Sequence, residues 1–147
     1  MVNNQDRIVI DASVAVNFAL PTLPFHESAL RLVGQWSSHG VKLVAPPLFE
    51  SEADSAIRRS AFHGEMTPEA EFETWRNLDA LAVSIIYDPR VRSVARSIAD
   101  ESDQLRVYDS TYAALAQLLK CEFWTADRRF YQRVNDRLRF VRFVDEV

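Results

Sequence analysis

An α/β sandwich built around a mainly parallel sheet is the fold this sequence predicts, and three observations predict it. Short apolar and β-branched runs alternate with amphipathic helical stretches along the chain. The first run, Ile8 to Ile10, shows no polar alternation, as expected of a strand covered on both faces. No repeat, low-complexity tract or linker-like shift in composition interrupts the 147 residues, so 1–147 reads as one folding unit with enough chain to bury a core.

Taken in order, the strand at Ile8 to Ile10 runs into Asp11, ahead of a helix starting near Val14. Phe25 to Ser38 places Ala29, Leu30, Val33 and Trp36 on one stripe, and Gly40 is a suitable stop. Lys42 to Ala45 is the second strand-like run. Pro47 suits the first turn of a helix reaching about Phe62, with Gly64 after it. Thr67-Pro68-Glu69 combines an N-cap, a first-turn proline and a first-turn acid, opening a helix through Phe72, Trp75 and Leu78. Val83 to Tyr87 is the third strand-like run. Helices at Arg90 to Ala99 and Asp109 to Leu119 follow, the second with Tyr112, Ala113, Ala116 and Leu119 as its apolar face. The strand-like run Glu122 to Thr125, a short helix at Arg128 to Val134 and a last run at Phe140 to Val144 complete the alternation.

Composition excludes several classes. A single cysteine, Cys121, rules out an internal disulfide, and its apolar setting reads as a buried, inert thiol. The start, MVNNQDR, carries no apolar signal region and no run is long enough to span a membrane, so the expected location is the cytoplasm. The net charge of −4 argues, on its face, against a nucleic-acid partner. Yet 15 of the 17 basic residues are Arg, the side chain suited to forked phosphate contacts.

The informative residues are four carboxylates in costly places. In open α/β sheets ligands bind beyond the carboxyl ends of strands, where strand order reverses. Asp11 stands at such an end, and Asp127, in FWTAD, at another. Asp109, in VYDSTYAALA, opens a helix, and Glu52, in PPLFESEADSAIRR, shares a helical face with Leu48, Phe49 and Ala56. Taken singly, Asp11, Asp109 and Asp127 are explained as helix N-caps. Glu52 is explained as a solvated acid, with Glu50 or Asp54 as the alternative inward residue. Taken together, the four are explained as oxygen ligands for a hard divalent cation such as Mg²⁺.

The ordered set IVIDASV, PPLFESEADSAIRR, VYDSTYAALA and FWTADRRF resembles the four motifs of PIN-domain ribonucleases, in particular the VapC-type toxins of bacterial toxin–antitoxin systems. The resemblance runs from about Arg7 to Val144. It implies a three-layer α/β/α sandwich with a five-stranded sheet in the order 3-2-1-4-5, which sets the ends bearing Asp11 and Asp127 side by side. It places the acidic site on Asp11, Glu52, Asp109 and Asp127, with Ser13 and Thr125 as supporting positions, and puts Ser55 where many relatives carry Asn. It implies metal-dependent hydrolysis of RNA, with Mg²⁺ or Mn²⁺ held by Asp11, Asp109 and Asp127, and with Glu52 as ligand or water positioner. The products would bear 5′-phosphates and 3′-hydroxyls.

The resemblance also implies a small antitoxin protein as partner and a homodimer. Phe18, Leu20, Leu23, Phe25 and Trp36 are candidates for the groove that receives the antitoxin. Without the four site acids, 17 acidic residues balance 17 basic ones, so the whole formal excess equals the expected site. Phosphate contacts then fall to local arginines: Arg58 and Arg59 after Glu52, and Arg128, Arg129 and Arg133 after Asp127. None of His26, His39 and His63 lies in a motif, and they read as surface residues.

Two other functions compete. An aspartyl phosphatase would want a second Asp two residues after Asp11, where Ser13 stands. A PIN-fold module without turnover, acting through protein or RNA contacts, would not require all four acids.

Overall fold

The computed structural model describes residues 6–104 and 106–146. Of the N-terminal MVNNQDR stretch, residues 1–5 lie outside the described residues. Five strands, β1 (Arg7–Ile10), β2 (Lys42–Ala45), β3 (Val83–Ile85), β4 (Phe123–Thr125) and β5 (Val141–Phe143), form one sheet in the order β3-β2-β1-β4-β5. Every pairing is parallel, with Val9 opposite both Val44 and Phe123, and Ile10 opposite Trp124. The order is the one expected. Its reversal point lies between β1 and β4, so the crevice there is the natural ligand site.

Among the described residues seven helices fill the connections: α1 (Ala12–Ala19), α2 (His26–Ser38), α3 (Leu48–Phe62), α4 (Pro68–Ala80), α5 (Val91–Glu101), α6 (Tyr108–Leu119) and α7 (Arg128–Val134). Right-handed crossovers send the connections of β1, β2 and β3 to one face, and those of β3, β4 and β5 to the other. The packing agrees: α1 touches α2, α3 and α4, whereas α5 packs on α6. Alternation along β4 reads out both layers. Phe123 stacks on Tyr112 of α6 at 5.8 Å, while Trp124 meets Trp36 of α2 edge-on at 5.4 Å. With both faces covered, Ile8, Val9 and Ile10 are buried, which is why that run needed no polar alternation.

Local chemistry explains the ends of the helices. The Thr67 hydroxyl accepts from the Ala70 amide at 3.1 Å, with Pro68 in the first turn, as expected. Gly40 and Gly64 take φ of +67° and +68° just past α2 and α3, the left-handed conformation that lets a helix stop.

Three expectations are corrected. The buried stripe of α2 uses Ala29, Leu32 and Trp36, and Leu30 is 40% exposed, because a modest turn of the helix presents Leu32 to the core in place of Leu30 while Ala29 and Trp36 stay common to both faces. The third strand ends at Ile85, since its outer edge faces solvent and Ile85 and Tyr87 are exposed. Phe72 of α4 is exposed too, while Thr74 and Leu78 carry that helix's contact with the core. Cys121 is buried as expected, and burial pushes its thiol pKa up. Among the described residues no helix is long and apolar enough to cross a membrane.

Candidate active site

The strand β1 delivers Asp11 to the crevice almost fully buried, at 3% exposure. Capping and a place at a strand end are not alternatives here, because Asp11 does both. It is the N-cap of α1, and its Oδ1 accepts from the Val14 amide at 3.2 Å. The Ser13 hydroxyl donates to the same oxygen at 2.5 Å, and the Thr125 hydroxyl donates to Oδ2 at 2.5 Å. Each of these hydroxyls is itself aimed by a backbone donor from the loop after β4. The Ala126 amide donates to Ser13 Oγ at 2.8 Å, and the Asp127 amide donates to Thr125 Oγ1 at 3.0 Å. Two short chains thus run from one loop to one carboxylate, and they clamp β1 to the end of β4.

Asp127 is the N-cap of α7, with Oδ1 accepting from the Phe130 amide at 3.1 Å. Asp109 is different. The helix α6 begins at Tyr108 with Val107 as its cap, so Asp109 sits inside the first turn and caps nothing. Glu52, half-buried on α3, accepts from the Tyr112 hydroxyl at 2.5 Å. Glu50 and Asp54 are exposed, and they line a separate cavity beside β3 with Leu78 and Asp79. The inward acid of α3 is therefore Glu52.

The electrostatics bind the four acids into one group. Burial pushes the Asp11 carboxyl up to about 7, the Ser13 and Thr125 hydrogen bonds pull it back, and the Asp109 charge raises it further. Asp109 is raised to about 6, first by burial and then by the charges of Asp127 and Glu52. Burial and the neighbouring Glu52 likewise raise the Tyr112 hydroxyl, which stays a donor. Mutually repelling carboxylates at the end of a sheet favour a cation among them.

The free acceptor positions suit a hard one. Among the described residues, Asp11 Oδ2 has one lone pair left, Asp127 keeps Oδ2, Glu52 keeps Oε2, and nothing hydrogen-bonds the Asp109 carboxylate. Among the described residues no group of three or more acids, histidines and cysteines is arranged to hold a metal ion. An open set of oxygens fits a magnesium-like ion, which binds through one or two carboxylates and keeps several waters.

Two cavities meet at this group. A basin of about 410 Å³ is lined by Glu52, Asp109 and Asp127 on its acidic side and by Arg106, Arg129 and Arg133 on its basic side, with Gln104, Tyr108 and Phe130. A larger groove of about 730 Å³ runs from Leu20 and Leu23 past Val16, Asn17, Leu48 and Arg59 to Ser13, Glu52 and Tyr108.

Of the arginines expected near phosphate, Arg129 and Arg133 line the basin and Arg59 lines the groove. Arg128 lies over the rings of Phe143 and Phe25 at 4.8 and 5.6 Å, and Arg58 lies over Phe62 at 5.4 Å. Of the apolar residues expected to form a groove, Leu20 and Leu23 do, while Trp36 packs on Trp124 and Phe25 on Phe143. His26 bonds the Asn17 carbonyl at 2.8 Å, and His39 and His63 are exposed.

Sequence reasoning missed Tyr112, Arg106 and Tyr108 as members of this site. The signal for Tyr112 was present. A tyrosine three residues after Asp109 shares its helical face, and a buried phenol must find an acceptor.

Comparison with known proteins gives three findings. The PIN domain family matches residues 8–135. Over 125 residues the chain is 30% identical to VapC ribonuclease Mb0985 of Mycobacterium bovis and to ribonuclease VapC9 of Mycobacterium tuberculosis, covering 83% of this chain and 87% of each relative. In fold it is similar to the crystal structure of PAE2754 from Pyrobaculum aerophilum, with a TM-score of 0.64 and 24% identity over 94% of this chain and 90% of that one.

Proposed function

The chain belongs to the PIN-domain family, with the VapC-type ribonucleases, and from that premise we propose that it is a metal-dependent endoribonuclease acting as the toxin of a type II toxin–antitoxin pair. The observation that carries this reading is the convergence of four carboxylates, two of them raised by burial and by one another's charge, at the reversal point of the sheet.

Asp11, Asp109 and Asp127 would hold one or two Mg²⁺ or Mn²⁺ ions, and Glu52, steadied by Tyr112, would orient the attacking water. When bound, the metal lowers the pKa of a coordinated water and offsets charge on the phosphate. Asp11 keeps its orientation because Ser13 and Thr125 grip both of its oxygens. Water adds to phosphorus in line with the departing 3′ oxygen, which leaves as a hydroxyl, and the phosphate stays on the 5′ side. Arg129, Arg133 and Arg59 would take neighbouring phosphates, with Arg58 and Arg128 further out on their aromatic partners.

The groove from Leu20 and Leu23 to Glu52 would receive an antitoxin segment that covers the acids, and the working form would be a cytoplasmic homodimer of this single-domain chain. A small protein co-purifying with the chain and blocking its activity is the expected result for that partner.

The test is cleavage of total RNA by purified protein with Mn²⁺, Mg²⁺ or chelator, beside Asp109→Asn. Cuts bearing 5′-phosphates should appear with metal and vanish with chelator and in the variant. Identical behaviour of wild type and variant with every metal overturns the reading and leaves a PIN-fold binding module.

A further inference from the structure

Tyr108 lies where the two cavities meet, lining both the acidic basin and the apolar groove. It precedes Asp109 in the first turn of α6, and 48% of it is exposed. Its ring belongs neither to the hydrophobic core nor to the residues packed against it. A large aromatic face left in water beside a charged site gains little for the fold.

Exposure alone would not single it out. Phe62 and Phe72 are more exposed, but each is covered by its own arginine, Arg58 at 5.4 Å and Arg76 at 5.9 Å, and neither lines the basin or the groove. Tyr108 combines an open ring with a place between the acids and the cavity beyond them.

The charges around it supply the second argument. In the basin three arginines, Arg106, Arg129 and Arg133, face three acids, so the formal charges balance. Neutralisation of the acids would leave the arginines free to hold phosphates. Phosphate-holding arginines next to an open aromatic ring are the two components with which proteins bind single strands, the charge following the backbone and the ring stacking a base. A paired base already has both of its faces covered by its neighbours, so it cannot also lie on a protein ring.

We propose that Tyr108 is a base-stacking residue of the substrate site: an unpaired nucleotide beside the scissile phosphate lies on its ring while Arg106, Arg129 and Arg133 hold phosphates on the basin side. This rests on the nuclease reading and adds to it a residue that contacts the substrate.

The experiment uses an oligoribonucleotide spanning a cut mapped on total RNA, with 2-aminopurine placed next to the cut. Cleavage is followed with the otherwise wild-type chain, and binding and fluorescence in the Asp109→Asn background. Tyr108→Leu should raise KM or Kd by about 5- to 100-fold and release the fluorescence quench that stacking produces. Tyr108→Phe, which keeps the ring and loses the hydroxyl, should retain both. Annealing the oligonucleotide to its complement should suppress cleavage. If wild type cuts the strand and Tyr108→Leu binds and quenches like wild type, or if the duplex is cut as fast, the stacking role is overturned while the nuclease reading stands. If wild type cuts no RNA with either metal, the nuclease reading falls first and takes this inference with it.

Discussion

The two acids delivered by strands and the two delivered by helices are held in opposite ways. Asp11 receives three hydrogen bonds and Asp127 one, each caps a helix, and the loop after β4 fastens the hydroxyls that fasten Asp11. Among the described residues Glu52 has a single bond, from Tyr112, and Asp109 has none. The difference follows from topology. Adjacent parallel strands end side by side, so their loops can bond each other through backbone amides, whereas helices approach from opposite layers and meet only through side-chain tips. One half of the site is therefore set before any ligand arrives, and the other half can adjust to it.

The sharpest way to break this contrast is to remove one acid from each half. Asp11→Ala should abolish cleavage and lower stability by about 2 kcal/mol or more, because it removes a helix cap and strands the Ser13, Thr125 and Val14 donors. Asp109→Asn should abolish cleavage equally but leave the urea midpoint unchanged or raised, since it discharges a half-buried, repelled carboxylate. If Asp109→Asn unfolds as readily as Asp11→Ala, the helix-borne half is no looser than the other.

A smaller effect should appear in the pH dependence of the metal-free protein. Asp11 and Asp109 have folded pKa values of about 7 and about 6, above their ordinary value of 3.8. Below the ordinary value both states are protonated and no penalty exists. Between it and the folded values the unfolded chain releases protons that the folded chain keeps, so stability falls as pH rises, and it levels off above about 7. The melting temperature should thus climb as pH drops from 8 towards 5. Added Mn²⁺ or Mg²⁺ should raise it more at pH 8 than at pH 5, because the cation binds the ionised form. A flat profile without metal would remove the repulsion on which the site reading depends.

Next come the hydroxyls of the clamped half. Thr125→Val and Ser13→Ala should each cost about 1 kcal/mol in stability. Each should also slow turnover severalfold with little change in KM, since Asp11 loses a guide and not its charge. Thr125→Ser should restore most of the rate. The smallest change belongs to the loose half. Tyr112→Phe keeps the ring on Phe123 and removes the hydroxyl's bonds to Glu52 and to the Ala12 backbone, so it should lower kcat a few-fold at a cost of about 1 kcal/mol in stability. A collapse of activity in Tyr112→Phe would show that Glu52 is as tightly placed as Asp11.

Much of this was legible in the amino-acid sequence because the signals were local. The bounds of β2 and α7 follow from short-range pattern, and the Thr67 cap from three consecutive residues. Asp11 and Asp127 announced themselves as charges abutting strands. Strand order came only through family resemblance, since periodicity carries no information about which strands are neighbours.

What stayed hidden depends on rotation or on long range. Leu30 and Leu32 exchange roles with a modest turn of α2. Asp109 looked like a cap, but the cap position is Val107, two residues earlier. Arg128 sits on the rings of Phe25 and Phe143, whose positions depend on the whole fold, whereas Arg58 lies on Phe62 four residues along the same helix. The Tyr112–Glu52 bond joins residues 60 apart in the chain.

The alternation of side chains along β4 has a further consequence. Phe123 faces one layer, Trp124 the other, and Thr125 brings its hydroxyl beneath Asp11. A slip of one residue between β1 and β4 would put Trp124 or Ala126 where that hydroxyl belongs, turn both aromatic rings towards the wrong layers, and leave a buried charge with one guide missing. Correct strand pairing and chemical competence are thus verified by the same side chain. A chain that closes its sheet out of step would lose its site as well as its stability, so maturation carries a built-in proofreading step.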